Sequence, residues 1–306
     1  MSRNFGWGSR DMADAGRIAL QSTSASFSTI GTHIERFQQF KNFAKENGIG
    51  RMERITPELV IEFGKIQADK VDAGQLEPSY AQNLVSSINS VMKAATRNEW
   101  RSVSPTKDCK ISQRDNVRKT ATPEREKVQN TINEMKGQGN ERVAAIAQLA
   151  MDLGLRSKEA SLINAKAALE QAQNKGVVSI SDGTKGGRER ELKIQNERQI
   201  ETLRNAAAVQ GNHRSLVPSN QSWKGFRGGE LRNGRETVAQ GTGSRGIHDL
   251  RATYAAERYQ AIMGHPAPCN GGTITDKQAD LEARQTIAEE LGHGRISVVS
   301  SYIGGR

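Results

Sequence analysis

Residues 290–306 read ELGHGRISVVSSYIGGR. The pair Gly292-His293 precedes an apolar and hydroxyl-rich run, Ile296, Val298 and Val299 can anchor a short helix, and Tyr302 stands nine positions after His293. The simplest reading is a surface helix with an ordinary tyrosine. A free phenol has a pKa of about 10 and is almost wholly protonated at neutral pH. A tyrosine used as a nucleophile therefore needs positive charge beside it.

Upstream, IHDLRATYAAERY (247–259) sets His248 and Arg251 three apart, on one helical face, beside an apolar stripe of Ile247, Leu250 and Tyr254. The guanidinium fork and the imidazole can meet the same anion. Taken alone, a His-x-x-Arg reads more simply as a solvated helix face. LAMDLGLRSKEASLI (149–163) puts Arg156 at the corner between two helices, where an arginine either holds an anion or bonds exposed helix-end carbonyls. In GTKGG (183–187) Lys185 sits among glycines that let the backbone approach a ligand closely, although a turn lysine is usually just solvated.

Composition bounds the partners. The 306 residues suffice for two domains, and 44 Lys and Arg against 34 Asp and Glu leave a net charge of +10, which favours a polyanionic partner, nucleic acid before a membrane surface. No stretch approaches the roughly 20 apolar residues of a membrane span, and the N-terminus lacks the apolar core of a secretory signal, so a cytoplasmic protein is expected. Cys109 and Cys269 have no Cys or His partner at metal-ligand spacing, and free thiols without structural zinc are expected.

Along the chain, residues 1–30 are rich in Ser, Gly and Ala without clear period and read as an N-terminal arm or a loosely packed helix. Residues 31–101 hold three amphipathic helices. THIERFQQFKNFAKENG repeats Ile34, Phe37, Phe40 and Phe43 or Ala44 on one face and stops at Gly48. TPELVIEFGKIQADKVDAG opens with a Thr cap and a proline, followed by Leu59, Ile61 and Phe63. EPSYAQNLVSSINSVMKAATRNEW repeats Leu84, Ile88, Val91 and Ala95. Residues 102–123, polar and basic, read as a linker whose Lys107, Lys110, Arg114, Arg118 and Lys119 can track a phosphate backbone or merely keep a tether extended. Residues 124–306 alternate helices with one pair of strand-like runs, VVSIS and RERELKI, around DGTKGG. Helices continue from about Asn196, interrupted by the Gly-rich stretch 225–246 and by GHPAPCNGGTITD (264–276).

Each element alone is ordinary; their order is not. The series Arg156, Lys185, His248-x-x-Arg251, Leu-Gly-His293 and Tyr302 resembles the tyrosine recombinases, the phage-type integrase family. GLRSKEASL is similar to that family's first arginine box, TKGGRERELKI to its lysine hairpin, HDLRATYA to its second box and LGHGRISVVSSYIG to its closing box. The resemblance implies a mainly α fold: an all-helical, SAM-like core-binding domain that binds DNA, then a mainly helical catalytic domain with a small antiparallel β-hairpin. It implies site-specific recombination of double-stranded DNA through a 3′-phosphotyrosyl link made by Tyr302. Arg156 and Arg251 would hold the phosphate oxygens, His248 would assist as hydrogen-bond donor or base, His293 would bind the same phosphate, and Lys185 would protonate the leaving oxygen. Neither metal nor cofactor is implied. A homotetramer on two DNA sites, a DNA-bending accessory protein and association with the nucleoid are. A type IB topoisomerase would use the same residues on a single duplex, and a DNA-binding protein of the same fold would need no nucleophile. The spacing from Arg251 to His293 exceeds the family's usual one, and residues 263–280 read as an insertion. This insertion offers a second Gly-His, Gly264-His265, but Ile274 stands where the tyrosine would be.

Overall fold

The computed structural model describes residues 3–305. It divides into two compact units, the first ending at Asp115 and the second beginning at Asn116.

The first unit packs four helices, α1 (Met12–Gln21), α2 (Phe27–Glu46), α3 (Pro57–Asp72) and α4 (Pro78–Ala95). Thr56 caps α3 through its hydroxyl, with Pro57 and Glu58 in the first turn, as the sequence suggests. Ile34, Phe37, Phe40 and Ala44 of α2 and Leu84, Ile88, Val91 and Ala95 of α4 are buried together. In α3 Phe63 is buried, but Leu59 and Ile61 are only half-buried and Val60 takes the core position.

Two readings of this half need correction. The segment read as an arm contains α1, which buries Met12, Ala15, Ala19 and Leu20 against α2 and α4. Its contact face sets Ala15, Gly16 and Ala19 between Met12 and Leu20, and a Cβ on Gly16 would lie 2.6 Å from Val91 Cγ1. The small residues let α1 approach α4 closely, so the segment packs as a helix of the first core. The expected linker is likewise no free tether. Val103, Cys109 and Ile111 enter the first core, Gln82 donates to the Ser112 carbonyl, and the stretch beyond Asp115 is bound into the second unit.

The second unit comprises α5 (Arg125–Gly137), α6 (Glu141–Leu153), α7 (Ser157–Leu162), α8 (Ala165–Lys175), a hairpin of β1 (Val177–Ile180) and β2 (Arg190–Lys193), α9 (Glu197–Gln210), α10 (Trp223–Gly228), α11 (Glu230–Thr242), α12 (Leu250–Met263), α13 (Lys277–Glu290) and α14 (Ser300–Ile303). Its hub is α6. Ten of its 13 residues are buried, because α5, α7, α9, α11 and α12 surround it. The antiparallel hairpin pairs Val177 with Lys193 and Ile180 with Arg190. The mainly helical architecture with one small antiparallel sheet among the described residues is the expected fold class.

The Gly-rich stretch 225–246, expected as an interruption, is instead largely helical, as most of α10 and all of α11. Its glycines serve packing: a Cβ at Gly234 would collide with Val143 Cγ1 of α6, and one at Gly241 with Thr131 of α5. Gly234→Ala gains about 1 kcal/mol of helix propensity but forces a methyl against a β-branched side chain. Overpacking of that kind costs about 1–3 kcal/mol. The net expectation is a variant less stable by about 1 kcal/mol, read as a lowered thermal midpoint; a raised midpoint would show that α6 and α11 can part without cost.

Candidate active site

Helix α6 ends at Gly154, whose φ of +64° is left-handed. A Cβ there would lie 2.6 Å from the Tyr254 ring and 2.9 Å from Leu291, so only glycine lets the chain turn this tightly. The turn delivers Arg156 to the N-cap of α7, where its amide donates to Glu159 Oε2 at 2.9 Å and its Nη1 to Glu159 Oε1 at 2.6 Å.

The Leu-Gly-His sequence is the C-terminal stop of α13. Gly292, at φ +67°, donates its amide to the Glu289 carbonyl, and the His293 amide donates to the Ala288 carbonyl at 2.7 Å, the paired bonds of a Schellman ending. Such an ending leaves the last carbonyls of the helix open, at the negative end of its dipole. Three successive carbonyls each accept from a different arginine. Glu290 O accepts from Arg190 Nε at 2.8 Å, Leu291 O from Arg251 Nη2 at 2.8 Å and Gly292 O from Arg156 Nη2 at 3.2 Å. Guanidiniums from α12 and from the start of α7 thus meet at one helix end. The Glu290 side chain fastens that end by accepting from Tyr254 and Arg258 of α12.

Tyr302, on α14, is 6% exposed, and its hydroxyl lies 3.0 Å from His293 Nε2. Its ring centroid is 5.6 Å from Arg251 Cζ and 6.2 Å from the His248 ring. Arg251 has no exposed surface, and its Nε and Nη1 have no partner. Burial lowers its pKa to about 10, still well above neutrality. The His293 imidazole is pushed down to about 4, by burial first and then by Arg251, Arg156 and Arg190. His248 is lowered by burial and by Arg251. His293 is therefore neutral at pH 7, and its Nε2 and the Tyr302 hydroxyl share one hydrogen bond. The cluster combines two guanidiniums, two imidazoles and a phenol, a set suited to an oxyanion that becomes more charged as it reacts.

Of the residues expected to form a site, Arg156, His248, Arg251, His293 and Tyr302 come together. Lys185 lies apart from the contacts of this cluster, exposed in the hairpin turn. The linker residues diverge. Lys107 and Lys110 are exposed, and Arg114 Nε donates to Gln82 at 2.8 Å. Lys119 is exposed and interacts within the protein. Arg118 is largely committed within the protein: it forks onto Asp249 at 2.5 and 3.2 Å and donates to the carbonyls of Thr120 and Ala121, which engages four of its five N–H donors. The decoy His265 packs edge-on against Tyr259, outside the cluster. The 263–280 insertion has a different task. Cys269 Sγ lies 3.8 Å from the Tyr302 carbonyl, and Arg284, paired with Asp280, donates to the Gly304 carbonyl at 3.0 Å, so the loop and α13 seat the segment that carries the tyrosine.

Two side chains that brace this cluster, Glu159 and Arg190, are not among the expected site residues. Their signals were present: a Glu three residues after the N-cap of α7, and an arginine in RERELKI on the same strand face as the buried Leu192. Burial would raise the Glu159 carboxyl, but the Arg190 fork foremost, with the Arg156 amide and charge, holds it at about 2. Against an ordinary 4.5, this folded-state value gives stabilisation that is complete above pH 4.5 and lost as pH falls toward 2, roughly 2–3 kcal/mol in all. His293 acts in the same direction over a higher window. Its folded value of about 4 lies below the ordinary 6.5, so the unfolded chain takes up protons first as pH falls from 6.5 to 4. Urea midpoints should therefore decline steadily from pH 7 to pH 3, His293→Asn flattening the upper part and Glu159→Gln the lower. A profile level down to pH 4 would contradict the buried, neutral His293.

Known proteins share parts of this sequence and its architecture. Residues 112–257, a little under half of the chain, match the Integrase family model. Over that stretch the chain is similar to the integrases. Among solved structures, a lambda integrase dimer bound to a COC′ core site aligns with a TM-score of 0.62 at 13% identity, over 96% of this chain and 94% of that one. The Tn1549 transposon integrase in complex with transposon right end DNA gives 0.60 at 10%, over 97% and 95%. The XerH recombinase bound to a palindromic difH substrate gives 0.60 at 13%, over 95% and 80%. At these identities the likeness is one of fold. Among curated proteins, none matches the sequence. No helix among the described residues is long and apolar enough to cross a membrane.

Proposed function

We propose that this chain is a tyrosine recombinase of the integrase type that cleaves and rejoins duplex DNA at specific sites, moving a phage or other mobile element into or out of a larger DNA. The observation that carries the reading is the 3.0 Å contact between the Tyr302 hydroxyl and His293 Nε2 beside the buried guanidinium of Arg251. The Tyr302 hydroxyl passes its proton through the hydrogen bond to His293 and on to solvent, and its oxygen attacks the scissile phosphorus as the bond to the 5′ oxygen breaks. The products are a 3′-phosphotyrosyl link and a 5′-hydroxyl, and reversal by a hydroxyl from the partner strand completes the exchange. Arg251 offers two unsatisfied donors to the nonbridging oxygens as their charge builds, Arg156 adds a third side, and His248 donates to the same group. Lys185, on its exposed turn, protonates the leaving 5′ oxygen.

This role for His293 differs from the phosphate contact expected of it, because the phenol already occupies its Nε2. Affinity for DNA would rest mainly on phosphate contacts and fall steeply with salt. Action as a tetramer on two DNA sites is part of the same proposal, supported by the fold likeness to a lambda integrase tetramer bound to a Holliday junction, with a TM-score of 0.60 at 13% identity. So are an accessory DNA-bending protein and a cytoplasmic, nucleoid-associated place of work.

The test is incubation with a nicked duplex whose cleaved end diffuses away. A covalent adduct mapped to Tyr302 and to a 3′ phosphate is expected, and four-way junctions should form when two sites are supplied. Absence of any adduct across a survey of element-end duplexes would leave a DNA-binding protein. An adduct accompanied by plasmid relaxation but no junctions would make it a topoisomerase.

A further inference from the structure

Arg190 touches none of the reacting groups, yet three parts of the site meet at its side chain. Its position on β2 follows from strand period: Arg190 alternates with exposed Glu191 and shares a face with buried Leu192, and its side chain is only 7% exposed. A cation on the buried face of a strand needs partners, and each of its nitrogens has one. Nη1 and Nη2 fork onto the two Glu159 oxygens at 3.1 and 2.8 Å, while Nε reaches in the opposite direction to the Glu290 carbonyl at 2.8 Å. Glu159 in turn holds both the amide and the guanidinium of Arg156. Glu290 ends α13, three residues before His293. The Gly292 position lies against the same side chain: a Cβ there would sit 3.0 Å from Arg190 Cδ and Nη1, so the glycine of the Leu-Gly-His turn is also the space in which this guanidinium lies.

We propose that Arg190 is a positioning residue of the cleavage reaction, which fixes Arg156 through Glu159 and His293 through the end of α13. The assignment rests on the strand-cleavage reading above and adds a residue to it. Its effect on chemistry follows from competition for Glu159. With Arg190 present, the carboxylate is shared between two cations. Without it, the full charge of Glu159 would draw on Arg156 alone and hold that guanidinium back from the phosphate. The end of α13 would also lose one of its three arginine contacts, and His293 would be freed to shift relative to the phenol. Displacements of about 1 Å at reacting groups cost up to about 100-fold in rate, and loss of a supporting partner commonly costs about 10- to 100-fold.

The experiment compares the full-length protein with Arg190→Gln and Arg190→Lys. Cleavage is measured in single turnover at saturating nicked duplex, DNA affinity by anisotropy, and the His293 imidazole by NMR titration of the free protein. His293 is faced by Arg251 of α12, Arg156 at the start of α7, Glu159 of α7, Tyr302 of α14 and Arg190 of β2. Removing the positive charge of Arg190 should move its midpoint upward from about 4, toward 6.5. Arg190→Gln is expected to cleave about 10- to 100-fold more slowly with DNA affinity changed by less than about threefold. Arg190→Lys, which keeps the charge but cannot fork onto Glu159 while reaching Glu290, should remain at least about tenfold slow. A folded Arg190→Gln that cleaves at the parent rate overturns the proposal, and so does an Arg190→Lys that restores the full rate. If Arg190→Gln does not fold, Arg190→Lys decides alone; should that also fail to fold, Arg190 is a stability residue and the assignment falls. If the parent protein forms no adduct, the cleavage reading falls by itself, and an unmoved His293 midpoint in the glutamine variant then refutes the positioning claim independently.

Discussion

Arg251→Met is expected to yield a protein that is more stable and catalytically dead. The Arg251 side chain is wholly buried, and of its three nitrogens only Nη2 has a partner, the Leu291 carbonyl. Among the described residues no carboxylate bonds it directly; Tyr302 and Glu159 favour its charge from a distance, while Arg156 and Arg190 oppose it. A buried charge in this condition is a cost to the fold. Each orphaned donor loses about 1–3 kcal/mol of hydration, and exchanging buried ionic groups for apolar ones of similar volume is often stabilising by about 1–4 kcal/mol. Methionine fills most of the volume and leaves unmet only one carbonyl. A gain of about 1–3 kcal/mol in unfolding free energy is therefore expected. The same two empty donors are the ones offered to the phosphate, so cleavage should fall by about 1,000-fold or more. Thermal unfolding and single-turnover cleavage measured on one preparation check both halves. A destabilised variant would mean that the Leu291 contact outweighs the charge burial, and a variant that still cleaves would remove Arg251 from the reaction.

Tyr302→Phe should separate chemistry from structure more sharply still. The ring keeps its place near Arg251, His248 and His293, and only the hydroxyl with its bond to His293 Nε2 is lost. One hydrogen bond at a half-buried imidazole is worth about 1 kcal/mol, so stability and DNA affinity should stay close to those of the parent. The covalent adduct should vanish altogether, because phenylalanine has no atom that can form the bond to phosphorus. A denaturing gel of the nicked-duplex reaction reads this directly. Any residual adduct in Tyr302→Phe would assign the nucleophile to another side chain.

The legible parts of this molecule are those whose cause is local. Helices α2, α3 and α4 follow from apolar spacing, the Thr56 cap and Pro57, and the hairpin from two alternating runs around a Gly-rich turn. Glycine is ambiguous in sequence because the same residue serves opposite purposes. At Gly154 and Gly292 it turns the chain with positive φ, while at Gly16, Gly234 and Gly241 it sits inside helices and lets a neighbour come close. Only the neighbour reveals which purpose applies, and composition suggested loops where helices stand. The basic stretch 102–123 misled in the same way. Arg118 and Lys107 look equivalent in sequence, yet Arg118 is consumed by Asp249, 131 positions away, while Lys107 is exposed.

From the chain alone, then, came the helices with strong apolar period, the hairpin and the ordered set of Arg156, Lys185, His248, Arg251, His293 and Tyr302. The folded chain was needed to show that three arginines share the last carbonyls of α13, that Arg190 and Glu159 stand behind the reacting groups, and that His293 meets the phenol. The division has a physical cause. Caps and periods depend on residues within a turn or two of one another, whereas a buried guanidinium takes its partner from wherever the backbone returns, and Arg156 finds its carbonyl 136 residues further on.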